Sequence, residues 1–192
     1  MKKLFLNSFT LALFLLSFSL HAADYQIDTK GAHASIQFKV KHLGYSWLLG
    51  RFNTFDGNFS YDEKNPSASK VTINIDMASV DSNHAERDKH LRGKDFFEVS
   101  KYPKAKFVST SFEDKENGKA ILKGNLTMHG VTKAVSLDVS HTGHGKDPWG
   151  GYRRGFTATT KLSLSDFNIN FNLGPAAKEV LLSLNVEGIR KK

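Results

Sequence analysis

Along most of the chain apolar and polar residues alternate with a period of two, the pattern of strands that bury one face. Ile36, Phe38 and Val40 alternate with Gln37 and Lys39, and Phe55, Gly57, Phe59 and Tyr61 alternate with Asp56, Asn58 and Ser60. Val71, Ile73, Ile75 and Met77 repeat the pattern most cleanly. It continues through Lys104 to Phe112, Ala120 to Met128, Val131 to Val139, Phe156 to Leu164 and Val180 to Gly188, making eight candidate strands. Asn65-Pro66, Asn117-Gly118, His129-Gly130 and the glycine-rich stretch Gly143 to Gly151 supply turns between them.

One segment departs from this period. Asn83 followed by Glu86 forms a capping box, His84 to Arg92 contains no strong breaker, and Gly93 stands where a C-cap needs positive φ. The spacing predicts a short helix near residues 84–92. Its only apolar residues are Ala85 and Leu91, which places it on the surface. Leu43 to Leu49 and Asp166 to Asn170 read as further short helical or irregular turns.

Strands joined by short turns, without regular crossover helices, imply an antiparallel meander rather than a parallel α/β sheet. The expected fold is all-β: eight such strands can close into an antiparallel barrel, whose interior is just large enough for side chains or one small ligand, as in lipocalins. A two-sheet sandwich fits the same strand pattern. A membrane barrel would turn Lys39, Lys104, Lys106, Lys123 and Lys161 into a polar lumen, but the aromatic girdle of such proteins is missing, and the ending Arg190-Lys191-Lys192 is not aromatic.

Composition adds a compartment. Lys2 and Lys3 precede an apolar run from Leu4 to Leu20, and small residues follow at Ala22 and Ala23. Residues 1–22 therefore read as a cleaved secretory signal peptide and residues 23–192 as the folded domain. The run is short for a membrane span and carries Asn, Ser and Thr. Removing the leader takes away two of the 27 basic residues and lowers the formal net charge from +8 to +6. The chain has no cysteine, so disulfides, thiol catalysis, cysteine-ligated zinc and a lipid-bearing thiol are all excluded. Export and the scattering of lysines among acids argue against nucleic acid, and an acidic ligand or an anionic membrane surface is the better use of the charge. No later segment is long and apolar enough to anchor the chain, so a soluble periplasmic protein without stable membrane insertion is expected.

The segments Asp24-Tyr25-Gln26-Ile27-Asp28, His42-Leu43-Gly44-Tyr45-Ser46-Trp47, Phe55-Asp56-Gly57 and Asn83 through Arg92 stand in that order along the chain. Lys101-Tyr102-Pro103, Gly130-Val131-Thr132-Lys133, Asp147-Pro148-Trp149-Gly150-Gly151, Asp166-Phe167-Asn168-Ile169 and Leu173-Gly174-Pro175-Ala176 follow. Together they closely resemble the YceI-like family of periplasmic polyisoprenoid-binding proteins, from Ala23 to Gly188. The resemblance implies an extended, lipocalin-like antiparallel barrel enclosing a long isoprenoid chain, often as a homodimer, with the isoprenoid lipid as ligand and no cofactor.

A branched hydrocarbon needs a deep, dry, apolar tube rather than a set of hydrogen bonds. The candidate lining is Phe38, Val40, His42, Tyr45, Trp47, Phe55, Phe59, Ile73, Ile75, Phe156, Ala158, Leu182 and Leu184. The competing reading is that these residues fill a solid core. Gly57, Gly124, Ala158 and Gly188, in the apolar phase of their strands, favour open space over close packing. His42, Tyr45, Trp47 and Arg51 form a wall or an end plug. Arg87, Lys89, Arg92 and Lys94 offer charge for a phosphate or phenolic head group, or are simply a solvated face.

Catalysis finds less support. His84-x-Glu86 resembles part of a zinc deaminase signature but lacks the cysteine ligands, HExxH and GxSxG do not occur, and His84 and His90 fall on different faces of a helix. Glu86 and His90, four apart, read as a surface pair. No catalytic or metal-ligating residue is assigned. The expected function is binding or carriage of an isoprenoid quinone precursor or polyprenyl-phosphate-like lipid; the alternative is a stress-related barrel protein that acts through a protein partner.

Overall fold

The computed structural model describes residues 22–192. The expected leader, Ala22 apart, lies outside the described residues. Eleven strands pair antiparallel with their neighbours: β1 Ala23–Ile27, β2 Ser35–His42, β3 Ser46–Phe52, β4 Phe55–Tyr61, β5 Lys70–Asp76, β6 Val80–Asp81, β7 Lys104–Asp114, β8 Lys119–Met128, β9 Val131–Lys146, β10 Tyr152–Ser163 and β11 Glu179–Arg190. The last strand returns to pair with both β1 and β2 and closes the sheet.

Three pairs of these strands are broken halves of longer ones. β1 and β2 lie end to end along β11, β3 and β4 run opposite them, and β5 and β6 continue along β4 and β3 in turn. The result is a closed barrel of eight staves, and the sandwich alternative falls away. Each of the eight segments read from periodicity lies in a different stave. Leu43 to Leu49, expected as a helical or irregular turn, is instead the β2–β3 hairpin, with His42 opposite Ser46 and Lys39 opposite Leu49.

On most staves inward positions are apolar and outward positions polar. On β8, Ala120, Leu122, Leu126 and Met128 are buried, whereas Lys119, Lys123, Asn125 and Thr127 are exposed. Lys39, Lys104, Lys106, Lys123 and Lys161 are all exposed rather than luminal, the opposite polarity to a lipid-embedded barrel. On β7 a bulge between Ser109 and Ser111 shifts the phase, so that Phe112 turns inward in line with Phe107. The inward Ser109 hydroxyl accepts the Val71 amide at 2.8 Å.

Asn117-Gly118 and His129-Gly130 have positive φ at both residues; His129-Gly130 is a two-residue hairpin turn between paired Met128 and Val131, whereas Glu116 to Gly118 form a three-residue loop between Lys115 and Lys119. The glycine-rich stretch is only partly a turn. β9 runs through Gly143 and Gly145, and the reversal occurs at Asp147 to Gly151, where the Asp147 carboxylate accepts the Trp149 and Gly151 amides at 3.0 and 2.7 Å.

Helix α1, Ala85–Arg92, forms where expected, with two changes at its ends. His84, not Asn83, is the N-cap, its Nδ1 accepting the Arg87 amide at 3.2 Å, while Asn83 takes the left-handed conformation. Gly93 has φ −77°, so it is not a positive-φ cap. The buried Asp88 carboxylate accepts the Ser82 amide at 2.8 Å and the Ser82 hydroxyl, fastening α1 to the end of β6. Short 3₁₀ turns occupy Leu164–Phe167 and Pro175–Ala177.

Candidate functional site

The staves enclose two adjoining apolar chambers. The outer one, about 300 Å³, lies at the end of the barrel covered by α1 and the segments that follow β7's approach and β10. Its wall includes Val40 and Leu48 of the hairpin, Leu91 of α1, Phe96, Phe97, Met128, Leu164 and Leu173. The inner one, about 110 Å³, is lined by Phe59, Ile73, Phe107, Phe112, Leu122, Leu137, Phe156 and Leu184 among others. Ile36, Ile75, Leu126, Leu162 and Leu182 border both chambers.

The outer chamber reaches the surface between the hairpin, α1 and Phe171, because exposed His42, His90 and Phe171 belong to its wall. The His90 ring packs edge-on against Phe96 and Phe171 at 5.0 and 5.2 Å, and its Nε2 lies 2.9 Å from Asp95. Arg87 also borders this chamber; its Nε and one terminal nitrogen donate to the Ser82 hydroxyl and carbonyl at 2.7 and 2.6 Å. The charged and imidazole groups that border this chamber are therefore gathered at its mouth.

The far end is sealed by aromatics under a polar cap. Tyr61 sits edge-on to Phe112 at 6.1 Å and tilted on Phe156 at 5.6 Å. The buried Arg154 guanidinium lies 4.3 Å from the Tyr61 ring, pairs with Glu63 and approaches His141 Nε2 at 3.3 Å. Burial, then the Arg154 charge, depresses the His141 pKa. Burial raises the Tyr61 pKa, with the Asp114 charge adding to it.

Of the residues expected to line a cavity, Phe38, Val40 and His42 border the outer chamber, Phe59, Ile73, Phe156, Ala158 and Leu184 the inner, and Ile75 and Leu182 both. Phe55 packs against the core away from either chamber. Tyr45 and Trp47 lie outside the lumen on the exposed face of the hairpin, forming neither wall nor plug. Arg87 alone of the basic cluster borders a chamber; Arg92 donates to the Val80 carbonyl, and Lys89 and Lys94 are exposed.

Two parts of this arrangement are not what periodicity suggests. Phe96 and Phe97 stand in a segment without any strand period, whereas Phe171 and Leu173 belong to a run that alternates with asparagine from Phe167 to Leu173 and yet forms no strand. The inward glycines do not leave open space: a Cβ at Gly124 would overlap the Phe107 ring, at Gly188 the Phe59 ring, and at Gly57 it would lie 2.6 Å from the Thr72 carbonyl oxygen. Aromatic rings lean over Gly124 and Gly188, the neighbouring strand and Ile27 crowd Gly57, and the chambers arise elsewhere.

A model of the YceI-like domain matches residues 25–188. The chain belongs to the YceI-like family. It is 54% identical over 191 residues to a UPF0312 protein of Shewanella sp. strain W3-18-1, with both chains covered in full. The YceI protein of Campylobacter jejuni superposes with a TM-score of 0.71 at 32% identity, over 80% of this chain and 91% of that one. A polyisoprenoid-binding domain from Saccharophagus degradans shares the YceI-like barrel at a TM-score of 0.63 and 15% identity, covering 89% of this chain and 100% of its own. Among the described residues, no helix of this YceI-like protein is long and apolar enough to cross a membrane.

Proposed function

We propose that this protein is a periplasmic carrier that holds one polyisoprenoid lipid, tail inward, in the two chambers of its barrel. The observation that carries the reading is a lumen lined mainly by hydrocarbon side chains, with its charged groups at the mouth and Ser60, Tyr61, Ser69 and Thr160 as the polar residues of the inner chamber. Such a space excludes water and rewards a ligand that asks for no hydrogen bonds. The name of the Saccharophagus degradans domain, which shares the fold, points the same way. At the mouth Arg87 is held by Ser82 and His90 by Asp95. The apolar leader supports export, and the first strand begins at Ala23, immediately after the expected cleavage point.

Protein purified from the periplasm without detergent should begin near Ala23 by intact mass. Denaturing organic extraction should then release about one isoprenoid per chain, identified by mass spectrometry. An empty extract would overturn the carrier reading; a straight-chain lipid in its place would keep the carrier and overturn the isoprenoid.

A further inference from the structure

We propose that the outer face of the β2–β3 hairpin docks the protein on an anionic lipid surface, with the chamber mouth facing the bilayer. This surface is among the most apolar exposed regions of the molecule: Tyr45 is 89% exposed, Leu49 65% and Leu43 59%, with Trp47 beside them. None of these side chains is needed for the lumen. Leu48, between Trp47 and Leu49, supplies the inward contact. Large apolar groups left in water on a monomer mark a contact surface.

The chemistry of the patch selects its partner. Lys41 stands opposite Trp47 and Lys39 opposite Leu49 on the same outer face, and their ammonium groups lie 5.7 and 4.9 Å from the centre of the Trp47 ring. From Gln37 to Arg51 the chain carries Lys39, Lys41 and Arg51 and no carboxylate. Tryptophan, tyrosine and leucine interleaved with lysines is the composition of a segment that sits at a bilayer interface, rings among the head groups and ammonium groups against the phosphates.

Position supplies the second reason. The hairpin tip rests beside the segment that follows Phe171, since a Cβ at Gly174 would lie 3.9 Å from Leu43 and one at Gly44 3.9 Å from Ala176. His42, at the base of that tip, borders the outer chamber, as does exposed Phe171. The apolar face thus lies next to the mouth, with His42 and its partner Ser46 between them on the hairpin side. Docking here rests on the carrier reading for its purpose: a water-insoluble tail leaves the bilayer at the place where it enters the barrel.

The test uses Trp149→Phe protein, in which Trp47 is the sole tryptophan, titrated with vesicles of phosphatidylethanolamine and phosphatidylglycerol and, separately, of phosphatidylcholine. A blue shift of Trp47 emission on the anionic vesicles, weakened by salt, is expected. Lys39→Gln with Lys41→Gln should weaken that partitioning about thirtyfold, and Leu43→Asp with Tyr45→Asp about tenfold or more. All four positions are exposed, so the unfolding midpoint and the extracted lipid should stay at parent values. Unshifted emission, or equal partitioning by the variants, overturns the docking. Loss of a dimer in the variants, without vesicle binding by the parent, also overturns it and assigns the patch to self-association. Vesicle binding by a protein whose extract is empty keeps the docking and removes the carrier reading instead.

Discussion

Arg153 holds together three carboxylates that sequence places far apart. It pairs with Asp28 at 2.7 Å, with Asp147 at 2.9 Å and with Glu187, joining the end of β1, the β9–β10 turn and β11. The His33 hydrogen bond, then Arg153 and the Gly31 amide, holds the Asp28 carboxyl down to about 2 despite its burial. The same carboxylates raise the Arg153 pKa. Replacing Arg153 with Gln should cost about 3 kcal/mol near pH 7, because buried Asp28 loses its fixed cation. Asp28 titrates lower folded than its unfolded value near 3.9, so its contribution is present above about pH 4 and is lost as pH falls through about 2. Urea midpoints of parent and variant should therefore converge as pH falls across that window. Nothing in the local sequence marked this cluster, whose members meet only through register. The inward glycines were visible as residues, but whether a ring leans over them depends on strands Phe107 and Phe59 belong to, so their vacancy was misread.

At the scale of elements, clean alternation made the long strands legible, and its loss hid the hairpin. Trp47, Leu48 and Leu49 form an apolar run because the outer face of β3 is itself apolar, which removes the period by which a half-buried strand is recognised. The helix was legible from its breakers and polar pattern, while its capping residue was displaced by one position. What fastens α1 was not legible, because Asp88 reads as one more charge on a polar helix. In the fold it is buried against Ser82. Asp88→Ala strips the Ser82 amide and hydroxyl of their acceptor and should destabilise the protein by about 1–3 kcal/mol. Hydrogen exchange of residues 84–92 should accelerate before that of β7 to β11, since Asp88 joins α1 to the end of β6 and not to those strands.

For the whole molecule, the eight-stave closure was readable because each stave contains one alternating segment and adjacent staves are neighbours in sequence. The division of the lumen was not, since volume depends on how rings from opposite walls meet. Ala158 tests that volume directly, because it borders the inner chamber from β10. Ala158→Trp should displace the tail while leaving the ligand-free unfolding midpoint unchanged; in a solid interior the same change would strain its neighbours by about 1–3 kcal/mol. Both proteins must be compared empty, because bound lipid itself raises the midpoint. The ring of Ile36, Ile75, Leu126, Leu162 and Leu182 also gives the barrel a gauge of cargo length. A tail that ends at this ring leaves the inner chamber vacant. At roughly 24 cal/mol per Å³ of unfilled apolar space, a void of about 110 Å³ costs about 2.6 kcal/mol, or roughly eightyfold in affinity. Competition among prenols of graded length should show affinity climbing until the tail meets Phe112 and Tyr61 and levelling off beyond, with length sorted at residues the head group never touches.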